Sequence, residues 1–120
     1  MTVTGGPLAH GRVSGRARST DAGLHVDVRL PTGLGGSGAG PNPEQLFAAG
    51  YAASLHGTLS VLAREAGVDP AALTVAVTVA VGRDPAGGHR VRAGVVVTGV
   101  ASDLVERAKT RCPYTKLLTG

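Results

Sequence analysis

The chain has 120 residues, a formal net charge of +4, a single cysteine, and only one Phe and two Tyr as aromatic side chains. This length predicts one domain, residues 1–120, and the shortage of aromatic side chains argues against nucleic-acid binding. One cysteine excludes an intrachain disulfide. The sequence has neither a run of about 18 apolar residues nor a signal-peptide pattern, so we expect a cytoplasmic protein that does not enter the membrane.

The first predicted elements are two strands. Residues 11–18 and 24–30 alternate apolar and polar side chains, and the turn residues Asp21 to Gly23 lie between them. This alternation is typical of half-buried strands, so the segment predicts an N-terminal β-hairpin. The glycine-rich residues 32–40 that follow lack the ending of a phosphate-binding loop.

A long helix is predicted next, from residue 43 to about residue 66. Asn42 is the expected N-cap, Pro43 takes the first helical position, and Gln45 lies where it can complete a capping box. One stripe of the helix is apolar and a second face is small, which predicts a buried helix that another backbone can approach closely. The stripe consists of Phe47, Tyr51, Leu55, Leu59 and Leu62, and the small face of Ala48, Ala49, Ala52, Ala53, Gly57 and Ser60.

A second hairpin and a second helix complete the predicted fold. Residues 74–81 and 91–98 are β-branched runs separated by a turn. Ser102 or Asp103 is the expected cap of a helix that ends by Arg111, because a proline at position 113 disfavours helical geometry at the residue before it. The order of elements predicts an α+β domain.

The single cysteine, Cys112, precedes Pro113 and can therefore be the N-cap of a short terminal helix. A helix N-terminus and neighbouring cations, here Arg111 and Lys116, lower the pKa of a thiol. The pattern thus makes Cys112 a candidate reactive thiol. The alternative is an inert buried cysteine. The four histidines have no metal-ligand spacing, so we expect no metal.

Two segments carry a resemblance to a known family. They are PNPEQLFAAGYAAS at residues 41–54 and RCPYTK at residues 111–116. They resemble the paired motifs of the organic hydroperoxide resistance (Ohr) branch of the OsmC-like family, in which each motif carries one cysteine. In this chain Ser54 stands at the first position and Cys112 at the second.

The resemblance implies an intertwined homodimer that reduces organic hydroperoxides, lipid or alkyl, without a cofactor. In such proteins the first thiolate attacks the peroxide and becomes a sulfenic acid, the second cysteine captures it as a disulfide, and a lipoyl or other dithiol reductant restores the thiols. The glutamate and an arginine that accompany the first thiolate correspond to Glu44 and Arg12. The match around Arg12 is shifted by one residue, which leaves Arg16 as a substitute.

The predicted site has an apolar pocket lined by Phe47 and Tyr51 beside Ser54 and Cys112. Glu44 and Ser54 are about 15 Å apart along a straight helix, which favours a dimer whose chains share sites. A neighbouring cation shifts a pKa by about 1 to 3 units, too little to ionise a serine hydroxyl. Ser54 therefore cannot replace a thiolate.

Three functions remain open at this point. The first is a hydroperoxide reductase whose activity is impaired by Ser54, and the second is a non-catalytic binder of an apolar ligand such as a fatty acyl chain. The third is single-cysteine peroxidase chemistry at Cys112. Ser54 itself has a simple structural alternative, a small helical residue hydrogen-bonded to the Gly50 carbonyl.

Overall fold

A computed structural model describes residues 2–9, 12–19, 23–28 and 41–119. It divides into two compact units, Met1–Leu46 and Phe47–Gly120, and we describe each by itself. The prediction of a single domain stays a prediction.

The first unit contains a three-stranded antiparallel sheet. Its strands are β1 (Thr2–Ala9), β2 (Arg12–Arg18) and β3 (His25–Val28), in the order β1-β2-β3. The predicted hairpin is β2 with β3, with Gly15 opposite Val28 and Arg18 opposite His25. Strand β1 was not predicted.

Helix α1 spans Pro43–Glu65, and both halves of its predicted capping box are formed. The Gln45 backbone N–H donates to Oδ1 of Asn42 over 2.8 Å, and the Asn42 N–H donates to Oε1 of Gln45 over 3.1 Å. The helix ends just before Gly67, whose φ of 73° suits a residue without a side chain. The predicted bounds are therefore confirmed to within one residue.

Only one face of α1 is buried within the chain. Leu55 and Leu59 have no exposed surface, whereas Ala53 and Gly57 on the small face are exposed and Val61 is 52% exposed. The prediction of a buried helix is thus confirmed for its leucine face, and the expected approach of another backbone to the small face stays a prediction. By length and composition, α1 is the one helix in the described ranges that could cross a membrane. A core helix passes the same test, and the leucines of α1 pack in a core.

The second unit continues with a 3-10 helix, Pro70–Ala72, and the predicted second hairpin. Strands β4 (Thr74–Arg83) and β5 (His89–Thr98) are antiparallel, with Val77 opposite Val95 at the centre. Alternate residues of β4 turn one face inward, as expected for a sheet with one covered side. Gly99 follows β5 with a φ of 93°.

Two helices end the chain, α2 (Ser102–Arg111) and α3 (Pro113–Thr119). The N-cap of α2 is Ala101, which has no side-chain cap hydrogen bond, so the prediction of Ser102 or Asp103 as the cap is wrong by one or two positions. The backbone carbonyl of Ala101 accepts the first bonds of the helix from Leu104 and Val105.

The core of the second unit lies between α1, the β4–β5 sheet and α2. Its members are leucines with few larger side chains, as a sequence so poor in aromatic residues requires. The buried members are Tyr51, Leu55, Leu59, Leu62, Leu73, Leu104, Ala108 and Cys112. The single thiol is therefore part of the core.

Candidate thiol site

The structure brings Ser54 and Cys112 together within one chain. The Ser54 Oγ atom, on the fourth turn of α1, lies 3.7 Å from the Cys112 Sγ atom. Sulfur is large and a weak hydrogen-bond acceptor, so contacts to it are longer than those to oxygen. Ser54 is half-buried and Cys112 has no exposed surface. The hydroxyl thus faces the sulfur from the neighbouring helix.

Cys112 occupies the junction of α2 and α3. Its backbone N–H donates to the Ala108 carbonyl over 2.8 Å and so closes α2. Its carbonyl accepts from the Lys116 N–H over 3.0 Å and so opens α3. Because the residue has extended geometry, with φ −66° and ψ 122°, the chain turns there between the two helices. Pro113 in the next position enforces this turn.

The surroundings of the sulfur favour the thiolate. Burial raises the pKa of the Cys112 thiol, but hydrogen bonds from the Thr115 N–H, the hydroxyls of Ser54 and Thr115, and the Tyr114 N–H lower it by more. The pKa consequently lies below its ordinary value of 9.0. Donors aimed at a charged acceptor stabilise the charged form, which is the physical cause of the shift.

The predicted role of two cations in this shift is wrong for the described side chains. Burial and hydrogen bonds account for the lowered pKa of Cys112, and neither Arg111 nor Lys116 is among its causes. Arg111 instead lies 3.9 Å from a carboxylate oxygen of Glu65. Its guanidinium belongs to an exposed surface pair.

Tyr51 approaches the thiol through a second hydroxyl. Its ring is 4% exposed, and its hydroxyl lies 2.9 Å from Oγ1 of Thr115. The Thr115 hydroxyl is also among the groups that lower the pKa of the Cys112 thiol. Side chains from α1 and α3 are therefore joined in a short polar chain beside the thiol.

Aromatic rings lie beside this polar chain. The Phe47 and Tyr51 rings meet edge to face with centroids 6.2 Å apart, and the Tyr51 and Tyr114 centroids are 6.3 Å apart. Tyr114 covers Gly50 so closely that a Cβ there would lie 3.3 Å from its ring. The apolar pocket predicted around Phe47 and Tyr51 stays a prediction, although both rings lie on this side of α1.

The remaining predicted site residues are Glu44 and the two candidate arginines, and the structure describes the side chain of Glu44 only. Glu44 lies in the first turn of α1, half-buried, and its Oε2 atom is buried without a hydrogen-bond partner among the described residues. Arg12 begins β2 and Arg16 lies opposite Asp27 in the sheet. The side chains of both arginines lie outside the described part of the structure.

No group of three or more metal-ligating side chains occurs among the residues that the structure describes. His56, two residues from Ser54, has its Nδ1 atom 3.4 Å from the Ser60 hydroxyl. That hydroxyl donates to the His56 carbonyl over 2.8 Å. The histidine is therefore engaged along its own helix, away from position 54.

Thr115 lies at the site, although no role is predicted for it from the sequence. A signal for it was present, because the third position after an N-cap is the one whose N–H points back at the cap side chain. With Cys112 as the N-cap, that position is Thr115. No sequence signal connects it to Tyr51, which is 64 residues away.

The chain is similar in sequence to proteins of a known family. The OsmC-like protein family matches residues 35–120. An organic hydroperoxide resistance protein from Xanthomonas axonopodis pv. citri (strain 306) is 36% identical over 127 aligned positions, which cover 100% of this chain and 89% of that protein.

Solved structures give the same answer. The crystal structure of an organic hydroperoxide resistance protein from Elizabethkingia anophelis has a TM-score of 0.81 and 32% identity, covering 100% of this chain and 89% of that one. The structure of OhrB of Bacillus subtilis has a TM-score of 0.74 and 29% identity, covering 100% and 92%. The chain therefore belongs to the OsmC-like protein family, and the relatives that it resembles are organic hydroperoxide resistance proteins.

Proposed function

We propose that this protein is a thiol-dependent reductase of organic hydroperoxides, that Ser54 and Cys112 mark its reaction site, and that Ser54 impairs its activity. The observation that carries the proposal is the 3.7 Å separation of the Ser54 Oγ and Cys112 Sγ atoms. A disulfide needs its sulfurs about 2.05 Å apart. A thiol in place of the Ser54 hydroxyl would need to approach Cys112 by less than about 2 Å.

Ser54 limits the chemistry for an electronic reason. The thiolate is the nucleophile that attacks peroxide oxygen, and its environment tunes its pKa toward neutrality. A serine hydroxyl needs a positioned general base to act as a nucleophile and forms no sulfenic acid. His56, the nearest histidine in sequence, is engaged with Ser60. The native chain consequently has Cys112 as its one thiol, and slow turnover is expected.

Replacement of Ser54 by cysteine restores the two-thiol reaction in this proposal. The thiolate at position 54 attacks the distal peroxide oxygen, the O–O bond breaks, and the alkoxide leaves and takes up a proton as the alcohol. Cys112 then attacks the resulting sulfenic sulfur, and hydroxide leaves as water once protonated. A dithiol of the lipoyl class reduces the disulfide and is itself oxidised.

The test measures consumption of cumene hydroperoxide with dihydrolipoamide as the reductant. S54C should react at least about tenfold faster than the native protein, because a cysteine can ionise near neutral pH and an alcohol cannot. S54C/C112S should become oxidised by one equivalent of peroxide and form no disulfide within the chain. Peptide mapping under non-reducing conditions identifies that disulfide in S54C. The proposal fails if S54C is no more active than the native protein and if peroxide forms no disulfide between residues 54 and 112.

Glu44 supports a further part of the proposal, namely that Glu44 and Arg12, or Arg16, assist position 54. A buried carboxylate oxygen without a partner is costly, and Oε2 of Glu44 is such an atom among the described residues. A guanidinium is the partner that best offsets this cost, because it can donate two hydrogen bonds to one carboxylate. The arginine of the proposed site would have this role.

We also propose that the protein is a cytoplasmic homodimer. An exposed strip of α1, formed by Ala53 and Gly57 of the small face and by Val61 one turn further, supports close approach of a second chain. A Cβ added at Gly57 meets no atom within 4 Å in the single chain. G57R should therefore leave a monomer folded but dissociate a dimer, whereas A71R, also at an exposed position, should not. Sedimentation equilibrium of both variants decides this, and an unaltered dimer in G57R would refute this interface.

A further inference from the structure

Helix α1 carries three serine or threonine side chains, all half-buried, and two of them bond back to their own helix. Thr58 Oγ1 donates to the Ser54 carbonyl over 3.1 Å, and Ser60 Oγ donates to the His56 carbonyl over 2.8 Å. A bond to the carbonyl four residues earlier is a common one for these side chains within a helix. Ser54 differs, because the contact that its hydroxyl makes among the described residues is the one of 3.7 Å with the Cys112 sulfur.

The orientation of the Ser54 hydroxyl decides where its proton goes. A hydroxyl has one proton, so Ser54 cannot donate to the Gly50 carbonyl and to the sulfur at the same time. A thiolate only accepts hydrogen bonds, so the Ser54 hydroxyl must be the donor when Cys112 is ionised. Because Cys112 has no exposed surface and Ser54 is half-buried, water competes little for this bond.

We propose that Ser54 is a positioning residue, whose hydroxyl donates a hydrogen bond to the sulfur of Cys112 and so holds that sulfur as a thiolate. Position 54 lacks the nucleophile of the two-thiol reaction, but its hydroxyl assists the thiol that the chain does have. Ser54 keeps its proton throughout, and the proton released by Cys112 passes to solvent. The inference rests on the proposed function only in that Cys112 is the thiol which that function uses.

Ser54 acts on the thiol from a different helix than the other groups that favour ionisation. Burial raises the pKa of the Cys112 thiol, and the groups that lower it, apart from the Ser54 hydroxyl, all belong to α3. They are the backbone N–H groups of Thr115 and Tyr114 and the Thr115 hydroxyl. Ser54 is therefore the one such group on α1 within the described ranges, and replacing it leaves the others in place.

The titratable side chains around the thiol do not supply this effect. Those within four residues of Ser54 or Cys112 in sequence are Tyr51, His56, Lys109, Arg111, Tyr114 and Lys116. Arg111 and Lys109 lie by the carboxylates of Glu65 and Glu106, and His56 faces the Ser60 hydroxyl. The strands contribute valines to the core beside the thiol. Among the described side chains no charged group is a cause of the lowered pKa of Cys112.

The test is a pH titration of thiolate absorbance at 240 nm in the full-length protein, with S54A compared with S60A. Both substitutions remove a half-buried serine hydroxyl from α1 and introduce the residue that a helix favours most, so both variants should fold. Each variant is measured against the same variant carrying C112S, which subtracts the absorbance of the tyrosines. S54A should lower the ratio of thiolate to thiol at a fixed pH by about threefold or more, because it removes a hydrogen bond to a charged acceptor.

S60A should keep the native ratio, because its hydroxyl bonds to the His56 carbonyl and not to the sulfur. An unchanged ratio in S54A, or an equal fall in S54A and S60A, would overturn the inference. The titration contains no peroxide and no thiol at position 54. A failed S54C assay with the expected titration therefore rejects the proposed function alone, and the reverse result rejects this inference alone.

Discussion

Replacing Gly99 by alanine tests how the second unit holds the turn that leads into α2. Gly99 follows β5 with a φ of 93°, a backbone conformation that costs a residue with a side chain about 1 to 3 kcal/mol. A Cβ at this position would also lie 2.1 Å from the Ala72 carbonyl oxygen and 2.6 Å from its carbonyl carbon. Both atoms belong to the backbone, so relief requires the two segments to separate.

The steric part adds to the conformational part. Inserting a methyl group into closely packed structure typically costs about 1 to 3 kcal/mol. Together the two effects predict that G99A lowers the free energy of unfolding by about 2 to 6 kcal/mol. A small domain has about 5 to 15 kcal/mol in total. G99A should therefore be severely destabilised.

Gly67 supplies a matched control. Its φ of 73° is also positive, but a Cβ there would meet no atom within 4 Å. G67A should consequently cost only the conformational part, about 1 to 2 kcal/mol. Urea unfolding of both variants at one protein concentration, followed by circular dichroism at 222 nm, gives the comparison. Equal destabilisation of G99A and G67A would refute the reasoning, because it would mean that the approach of Ala72 to Gly99 has no energetic weight.

Two more measurements probe the site and the entry to α1. The lowered pKa of Cys112 stabilises the folded state fully above the ordinary value of 9.0, and this contribution is lost as the pH falls through the folded pKa. The free energy of unfolding of the native protein minus that of C112S should thus rise with pH up to about 9, and a flat difference would contradict the assignment. N42A removes the acceptor of the Gln45 N–H and should cost about 1 kcal/mol in urea unfolding. N42D, which keeps an acceptor, is its control, and equal stability of N42A and N42D would exclude a contribution from the side chain at position 42 to the capping box.

The local parts of the fold were predictable because they depend on neighbouring residues. The capping box at Asn42 and Gln45 needs only three residues of chain, and the turn at Cys112 follows from the proline after it. Strand β1 could not be predicted from neighbouring residues. It contains Gly5, Gly6 and Pro7, which are poor strand formers, and it is held by pairing with β2 across a register shift between Gly5 and Leu8. Hydrogen bonding to β2 therefore stabilises a strand that the residues of β1 themselves do not predict.

The site shows a similar division. The meeting of Ser54 and Cys112 was an expectation of the family resemblance, and the spacing along the chain gave no reason for it. Of the two expected causes of the lowered thiol pKa, the helix N-terminus is confirmed through the Thr115 and Tyr114 N–H groups. The cations were misassigned, because adjacency in sequence put Arg111 beside Cys112 while the fold directs its guanidinium toward Glu65. The hydroxyls of Tyr51 and Thr115 meet only through packing of α1 against α3. Contacts of this kind are set by tertiary structure.

The position of Cys112 between two helices links covalent change to helical order. Its sulfur is the acceptor for the Tyr114 and Thr115 N–H groups at the start of α3. Disulfide formation or alkylation at that atom removes the negative charge that these donors favour. The seven-residue α3 is too short to be stable as an isolated helix, so its order depends on contacts of this kind. A disulfide at this atom should therefore loosen the carboxyl-terminal segment, and a spectroscopic probe on Leu117 would report the formation of that bond by a sulfur that solvent does not reach.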